Sequence, residues 1–215
     1  MAVTDGDRLA GLPRGPHHLS RAQVSASQRE RLYRAMIEVV AEKGYARAAV
    51  SDVLRRARVS RATFYEQFAD KEDCFLAAYD SAIALLLDRI RSTAALSTSA
   101  DGTLRVGAAL DGYLAAIAAE PAVARTFLIE VYAAGPKALE RRYAVLERFV
   151  DLLSTLLAGT PGWPSDASAH RLRCEAVVGA LSSMVTTRVA NGDFDALEEL
   201  RDPVLALAGL AGLNA

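Results

Sequence analysis

Apolar residues recur every three or four positions along most of this chain, and alternating β-branched runs bounded by turns do not occur. That period predicts an all-α protein. It sets in after Ser27, where RERLYRAMIEVVAEKG puts Leu32, Met36, Ile37 and Val40 on one face. Ser27, with Glu30 three residues on, reads as a capping box, and Gly44 closes the helix. Residues 1–26 hold Gly, Pro, His and Arg without a period and are expected to form a disordered arm. A short helix at SDVLRRA comes next, then the turn RVS, then a second short helix within VSRATFYEQF. Asp70, with Asp73 in the box position, is expected to cap a long helix from Lys71 to Leu96.

Beyond a loop at STSADG, the pattern predicts a helix over 103–120. Pro121 then opens another, AVARTFLIEVYAAG, which Gly135-Pro136 ends. KALERRYAVLERFVDLLSTLLAG is helical, and TPGWPSD is a loop holding the one tryptophan. Two last helices, about 167–190 and 195–210, are joined by NGDF. The reading totals about nine helices.

Two short helices around a tight turn form a helix-turn-helix, whose second helix enters the DNA major groove. At about 100° per residue, Phe64 and Phe68 fall within about 40° of each other on one face. They should pack on Val53 and Leu54. Ala62, Thr63 and Glu66 lie opposite, with Tyr65 and Gln67 on the flanks. The Tyr65 hydroxyl can then reach a phosphate, and Thr63 and Gln67 are short polar groups suited to backbone or base contact. Arg61 supplies charge, and Lys71 can clamp a phosphate.

The net charge of −1 conceals an asymmetry. Residues 1–68 carry 12 Lys+Arg against 7 Asp+Glu, and residues 69–215 carry 13 against 19. A basic N-terminal third on an acidic body suits a polyanion partner. The longest apolar run, AIALLL, is far short of a membrane span, and the N-terminus lacks the apolar stretch of a secretory signal. A cytoplasmic protein with no membrane partner is expected. His17, His18 and His170 make no metal set, nucleotide loops are absent, and no triad is assembled. No enzyme activity, metal or cofactor is expected.

VSRATFYEQFADKEDCF resembles the signature of the TetR family of bacterial transcriptional regulators through Val59, Ser60, Arg61, Thr63, Phe64, Tyr65, Phe68, Lys71 and Glu72. The preceding helix resembles the family through Val50, Asp52, Val53 and Ala57. The resemblance spans roughly Gln28 to Leu86; beyond it only helix pattern and length agree. Arg58 stands where the family has a turn glycine, a position that favours φ > 0. Ala62 stands for glycine, Gln67 for histidine and Leu54 for alanine.

The resemblance implies a DNA-binding domain over 27–72 and a larger helical ligand-binding and dimerisation domain over 73–215. It implies a dimeric regulator, a repressor released from operator DNA by a small-molecule effector. By the same carry-over, Ser51, Arg61, Thr63, Tyr65, Gln67 and Lys71 contact DNA, and Ser60 caps the recognition helix. The last two long helices are the expected homodimer surface. CEAVVGALSSMVTTRVA and PVLALAGLAGL are apolar nearly all round, and Gly179, Ala180, Ser182 and Ser183 allow a close approach. Tyr113, Phe127, Tyr132, Phe149, Trp163 and Met184 are candidate pocket residues, with Glu130 and Arg105 as polar members. Two other readings are a redox-sensing regulator using Cys74 and Cys174, and a helical ligand-binding protein without DNA binding.

Overall fold

A computed structural model describes residues 20–96 and 102–210. The described residues form nine α-helices and three 3₁₀ turns, with no strand among them. The helices are α1 (Arg21–Lys43), α2 (Val50–Ala57), α3 (Arg61–Tyr65), α4 (Lys71–Leu96), α5 (Gly102–Ala119), α6 (Pro121–Leu128), α7 (Pro136–Leu157), α8 (Ala167–Asn191) and α9 (Arg201–Leu207). The all-α expectation holds. No single described helix is long and apolar enough to cross a membrane.

Local chemistry sets most boundaries. Asp70 accepts the Asp73 N–H at 2.8 Å, and Asp73 reaches back to the Ala69 N–H at 2.9 Å, so α4 starts where its capping pair puts it. Pro121 and Pro136 each occupy the first turn of their helix, where no N–H is needed. Gly135, at φ 99°, separates the segment before α7 from α7 itself.

Three boundaries differ from the sequence reading. Helix α1 begins before Ser27, because Ser20 and Gln23 form the capping box that Ser27 and Glu30 were expected to make. Residues 20–26 are therefore not arm; the expected arm up to residue 19 lies outside the described residues. Helix α6 stops at Leu128 and gives way to a 3₁₀ turn at Glu130–Ala133. The expected last helix breaks into two 3₁₀ turns, Phe194–Ala196 and Glu198–Leu200, before the short α9. Pro203 explains that break, since it has no N–H to bond back across the preceding turn.

That last break leaves the short α9 where the second helix of the expected dimer surface was placed. In PVLALAGLAGL, Val204, Leu205, Ala208 and Leu210 are buried within their own subunit, Ala206, Leu207 and Gly209 are exposed, and residues 211–213 lie outside the described ones.

Two apolar clusters organise the interior. The first joins Leu32, Met36 and Val40 of α1 to Val53, Phe64, Phe68, Phe75 and Tyr79, and continues into Phe127, Val131 and Val145. The second gathers Ile90, Leu110, Leu114, Val177, Val185, Leu197 and Leu200. Leu86, Phe149 and Leu152 pack against both. Helix α4 supplies residues to each cluster, so the helix-turn-helix is not a detached lobe. Cys74 and Cys174 lie fully buried in different clusters.

Arg58 ends α2 at φ 54° and ψ 47°, the one non-glycine residue with positive φ among those described. An L side chain in this region costs about 1–2 kcal/mol, and glycine recovers part of it against its larger unfolded-state entropy. Arg58→Gly is expected to stabilise the protein by up to about 1 kcal/mol, read as a higher melting temperature. A lower one would show that the Arg58 side chain makes a contact worth more than the backbone strain.

Candidate nucleic-acid interface and ligand cavity

Ser60 caps α3 by accepting the Thr63 N–H at 3.0 Å, and the Ser60 and Thr63 hydroxyls are 2.9 Å apart. Helix α3 is barely more than a turn long, so packing must hold it. Phe64 and Phe68 do this, 0% and 3% exposed, with ring centroids 5.6 Å apart. Tyr65 meets Phe64 edge-on at 5.3 Å yet is 47% exposed, with the Arg61 guanidinium 5.6 Å from its ring centre. The three aromatics thus divide as their angles require, two inward and one outward.

The remaining candidates are placed unequally. Ser51 and Arg61 are exposed, and Thr63 is half-buried beside its cap. Gln67 is half-buried and its Oε1 accepts from Arg29 Nε at 3.3 Å. Neighbouring cations differ in availability. Arg55 is paired with Asp52, and Arg56 with Glu38 and Glu42, whereas Arg58 and Arg61 have no ion pair among the described residues.

Lys71 does not stand as a free clamp. Its Nζ donates to the Tyr45 carbonyl at 2.9 Å and the Ala48 carbonyl at 3.1 Å, and lies 4.1 Å from the Tyr45 ring centre. Desolvation lowers its pKa. An ammonium has three N–H donors, so at most one remains for a phosphate. Lys71 is first a strut for the loop between α1 and α2.

Glu130 holds the same loop from the other side. Its Oε2 accepts the Tyr45 N–H at 2.9 Å, and a Cβ on Gly44 would come within 3.2 Å of that oxygen. Glu130 was expected to face a ligand; it does not line the cavity, because its carboxylate is spent on the helix-turn-helix domain. Thr126, one turn before it, donates its hydroxyl to the Ile37 carbonyl of α1 at 3.1 Å. Lys137 pairs with Glu72 at 3.0 Å, and Arg141 pairs with Asp80, so α7 also grips α4.

A cavity of about 620 Å³ lies where the two apolar clusters meet. Tyr113, Phe127 and Phe149 are in its wall. Trp163 and Met184 are not. Trp163 packs against His170 with ring centroids 6.0 Å apart, under the Arg173 guanidinium, and Met184 packs on the second cluster. Arg105 donates to the Leu156 carbonyl at 3.1 Å and also lies outside the wall. Tyr132 is 55% exposed and accepts from Arg142.

The sequence reading missed Arg142. It is 6% exposed and lies in the cavity wall. A signal was present: Ala138, Arg142, Val145 and Phe149 fall at helical spacing, so a charge interrupts the buried stripe of α7.

The buried cysteines do not suit a redox sensor. Burial pushes the Cys74 thiol up to about 12 and raises that of Cys174 as well. Neither offers the accessible thiolate that oxidation needs.

Residues 32–78 match the family model for bacterial regulatory proteins of the TetR family. The chain is 42% identical over 82 residues to the transcriptional regulator AcuR of Cereibacter sphaeroides, a match covering 37% of this chain and 35% of that protein. It therefore spans about a third of that relative's length. The fatty acid degradation regulator FadR from Bacillus halodurans has a similar structure, with a TM-score of 0.73 and 26% identity over 86% of this chain and 98% of that one. The transcriptional regulator FadR from Bacillus subtilis, in complex with stearoyl-CoA, shares the fold at a TM-score of 0.71 and 21% identity, again over 86% and 98%. All three are regulators by description.

Asp52 fixes the start of α2 and yields a pH prediction. It accepts the Ala49 N–H at 3.3 Å and pairs with Lys43 at 2.8 Å and Arg55 at 2.6 Å. The Lys43 ammonium beside it holds its carboxyl at about 2, below the ordinary 3.8. A depressed carboxyl stabilises the fold above its ordinary value, and the contribution is lost as pH falls from 3.8 to about 2. Asp52→Asn is expected to flatten the pH dependence of thermal stability within that window. An unchanged slope would mean that Asp52 is not differentially ionised on folding.

Proposed function

We propose that the chain is a transcriptional regulator of the TetR family and acts as a dimeric repressor, released from its operator when a small molecule bearing a long apolar chain fills the cavity. Regulators of this family bind operator DNA, act as dimers and bind small-molecule effectors.

One observation carries the reading: a single stretch of chain touches both the cavity and the helix-turn-helix domain. Phe127 lines the cavity. Thr126 beside it holds the Ile37 carbonyl, and Glu130 just beyond holds the Tyr45 N–H. Packed rings follow the same route. Phe127 meets Tyr79 at 4.9 Å and Phe75 at 5.8 Å, and Phe75 meets Tyr45 at 5.0 Å. An effector that displaces Phe127 also displaces both latches, and so reorients α1 and the recognition helix. Two states that bind DNA differently, each biased by one ligand, suffice for allostery.

At the DNA, α3 enters the major groove. Tyr65 donates its hydroxyl to a phosphate, Arg61 and Arg58 supply charge, and Ser51, Thr63 and Gln67 contact backbone or base edges. Lys71 contributes mainly by holding the loop behind them. The dimer surface is the outer face of α8, where Leu172, Ala176, Gly179, Ser183, Thr187 and Ala190 are exposed at helical spacing. Gly179 faces open space within its own subunit, consistent with a close partner helix.

The effector class is argued from the cavity. Its wall is dominated by aliphatic and aromatic side chains, and its volume of about 620 Å³ falls within the usual ligand-site range of roughly 300–1,000 Å³. The stearoyl-CoA held by the Bacillus subtilis regulator is a molecule of that kind. A repressor bound to DNA works in the cytoplasm, which is the location proposed.

An operator selected from a random duplex pool, then challenged with an acyl-chain panel, tests the reading directly. Tyr65→Phe is expected to weaken binding to specific and random duplexes alike, about tenfold, without lowering the melting temperature. Loss of folding would place Tyr65 in the core instead. Glu130→Ala is expected to bind the releasing molecule with unchanged affinity while its effect on operator affinity shrinks from the usual 5–150-fold range of roughly 1–3 kcal/mol towards none. Full release by this variant would show that the coupling bypasses Tyr45.

A further inference from the structure

Five of the six charged residues in the cavity lining are exposed or half-buried: Glu30, Arg34, Glu38, Arg89 and Glu120. Arg142 alone is buried, at 6% exposure. Its Nε donates to Tyr132 Oη at 3.0 Å and its Nη2 to Ser182 Oγ at 3.1 Å. Both partners are neutral, and no described carboxylate pairs with it. A guanidinium carries five N–H donors and never loses its charge, so a buried one normally sits against an anion. Two more polar groups of the wall lie within reach of its field. Burial pushes the Tyr79 and Tyr113 hydroxyls up to about 12, with the charge of Arg142 opposing that rise, so both remain protonated donors. Phe127, Val145 and Phe149 of the same wall are apolar.

We propose that the cavity takes a long-chain carboxylic acid in its free form, with the carboxylate paired to Arg142 and the chain lying along the aromatic wall. This rests on the effector reading above and narrows it. The thioester carbonyl of a molecule such as stearoyl-CoA is uncharged, and its phosphates lie at the far end of the pantetheine arm; a free carboxylate brings its charge directly to the end of the chain and matches the planar fork of the guanidinium with two oxygens. Ser182 thereby acquires a role inside the subunit, not at the dimer surface where its sequence neighbours place it.

The test compares hexadecanoate, methyl hexadecanoate and hexadecanoyl-CoA for binding to the full chain, alongside Arg142→Met and Arg142→Lys. The acid is expected to bind roughly tenfold to a hundredfold more tightly than either ester, the range that a charge-assisted hydrogen bond supplies. Arg142→Met is expected to lose that preference while melting at the same or a higher temperature, since an unpaired buried charge is exchanged for an apolar side chain of similar length. Arg142→Lys is expected to keep part of the preference. Equal binding of acid and esters, or an Arg142→Met variant that keeps the preference, overturns the proposal. So does an Arg142→Met variant that unfolds while Arg142→Lys binds acid and esters alike, which would make Arg142 purely structural. The two readings fail separately. If hexadecanoyl-CoA alone binds and releases the operator, the effector reading stands and the acid site falls. If the acid binds through Arg142 but leaves the operator complex intact, the acid site stands and the effector reading falls.

Discussion

The backbone of Tyr45 is held on both sides, at its N–H and at its carbonyl, by side chains from other elements. Glu130 accepts its N–H, and Lys71 donates to its carbonyl. A buried backbone group left unpaired costs about 1–3 kcal/mol, and Glu130 is the one described acceptor of the Tyr45 N–H, while the carbonyl also accepts the Ala48 N–H at 3.3 Å. The loop joins α1 to α2, and α2 leads through the strained Arg58 turn into the recognition helix. The placement of α3 therefore depends on a carboxylate that follows α6 and an ammonium that begins α4. Burial of the Tyr45 ring against Phe75 adds an apolar contact to the same junction. Electrostatics alone would leave this joint soft; the ring packing makes it a joint with definite positions.

Continuity of the interior gives that junction its reach. The first apolar cluster does not stop at the end of the helix-turn-helix but continues through Phe75 and Tyr79 to Phe127, Val131 and Val145. The cavity opens where this cluster meets the second. Close-packed side chains move between discrete arrangements instead of deforming smoothly, so a molecule lodged there is not absorbed locally. On the proposed reading this is how occupancy of the cavity reaches DNA without an effector touching DNA-binding residues.

Much of this was legible in the sequence wherever one segment decides its own structure. The split between Phe64 and Phe68 on one side and Tyr65 on the other follows from the angle between successive helical residues. The Asp70 cap, Pro121, Pro136 and the positive φ of Arg58 are likewise properties of a few adjacent residues. Errors arose where a distant partner or a competing local signal decides. Ser27 and Ser20 are both sound caps, each with a Glu or Gln three residues on, and the helix uses the earlier one. Pro203 was passed over because the apolar period runs through it. Glu130 looked like a pocket group since its partner is a backbone amide in another domain, which residue type cannot reveal. Trp163 and Met184 are apolar residues of the right kind in a different cluster. Arg142 was the reverse case, a local anomaly in the stripe of α7 whose meaning needed the cavity to be seen.

The central claim is that the Tyr45 junction changes state when the cavity is filled. Amide hydrogen exchange at Tyr45 reads it most directly, because that N–H has one acceptor, Glu130, on another element. In the absence of effector it is expected to exchange slowly, as slowly as the buried amides of α1. With a molecule that releases the operator, protection at Tyr45 should fall while amides in the second cluster hold or gain theirs. Release of the operator with Tyr45 protection unchanged would contradict the account, and would place the coupling on a route that does not pass through this loop.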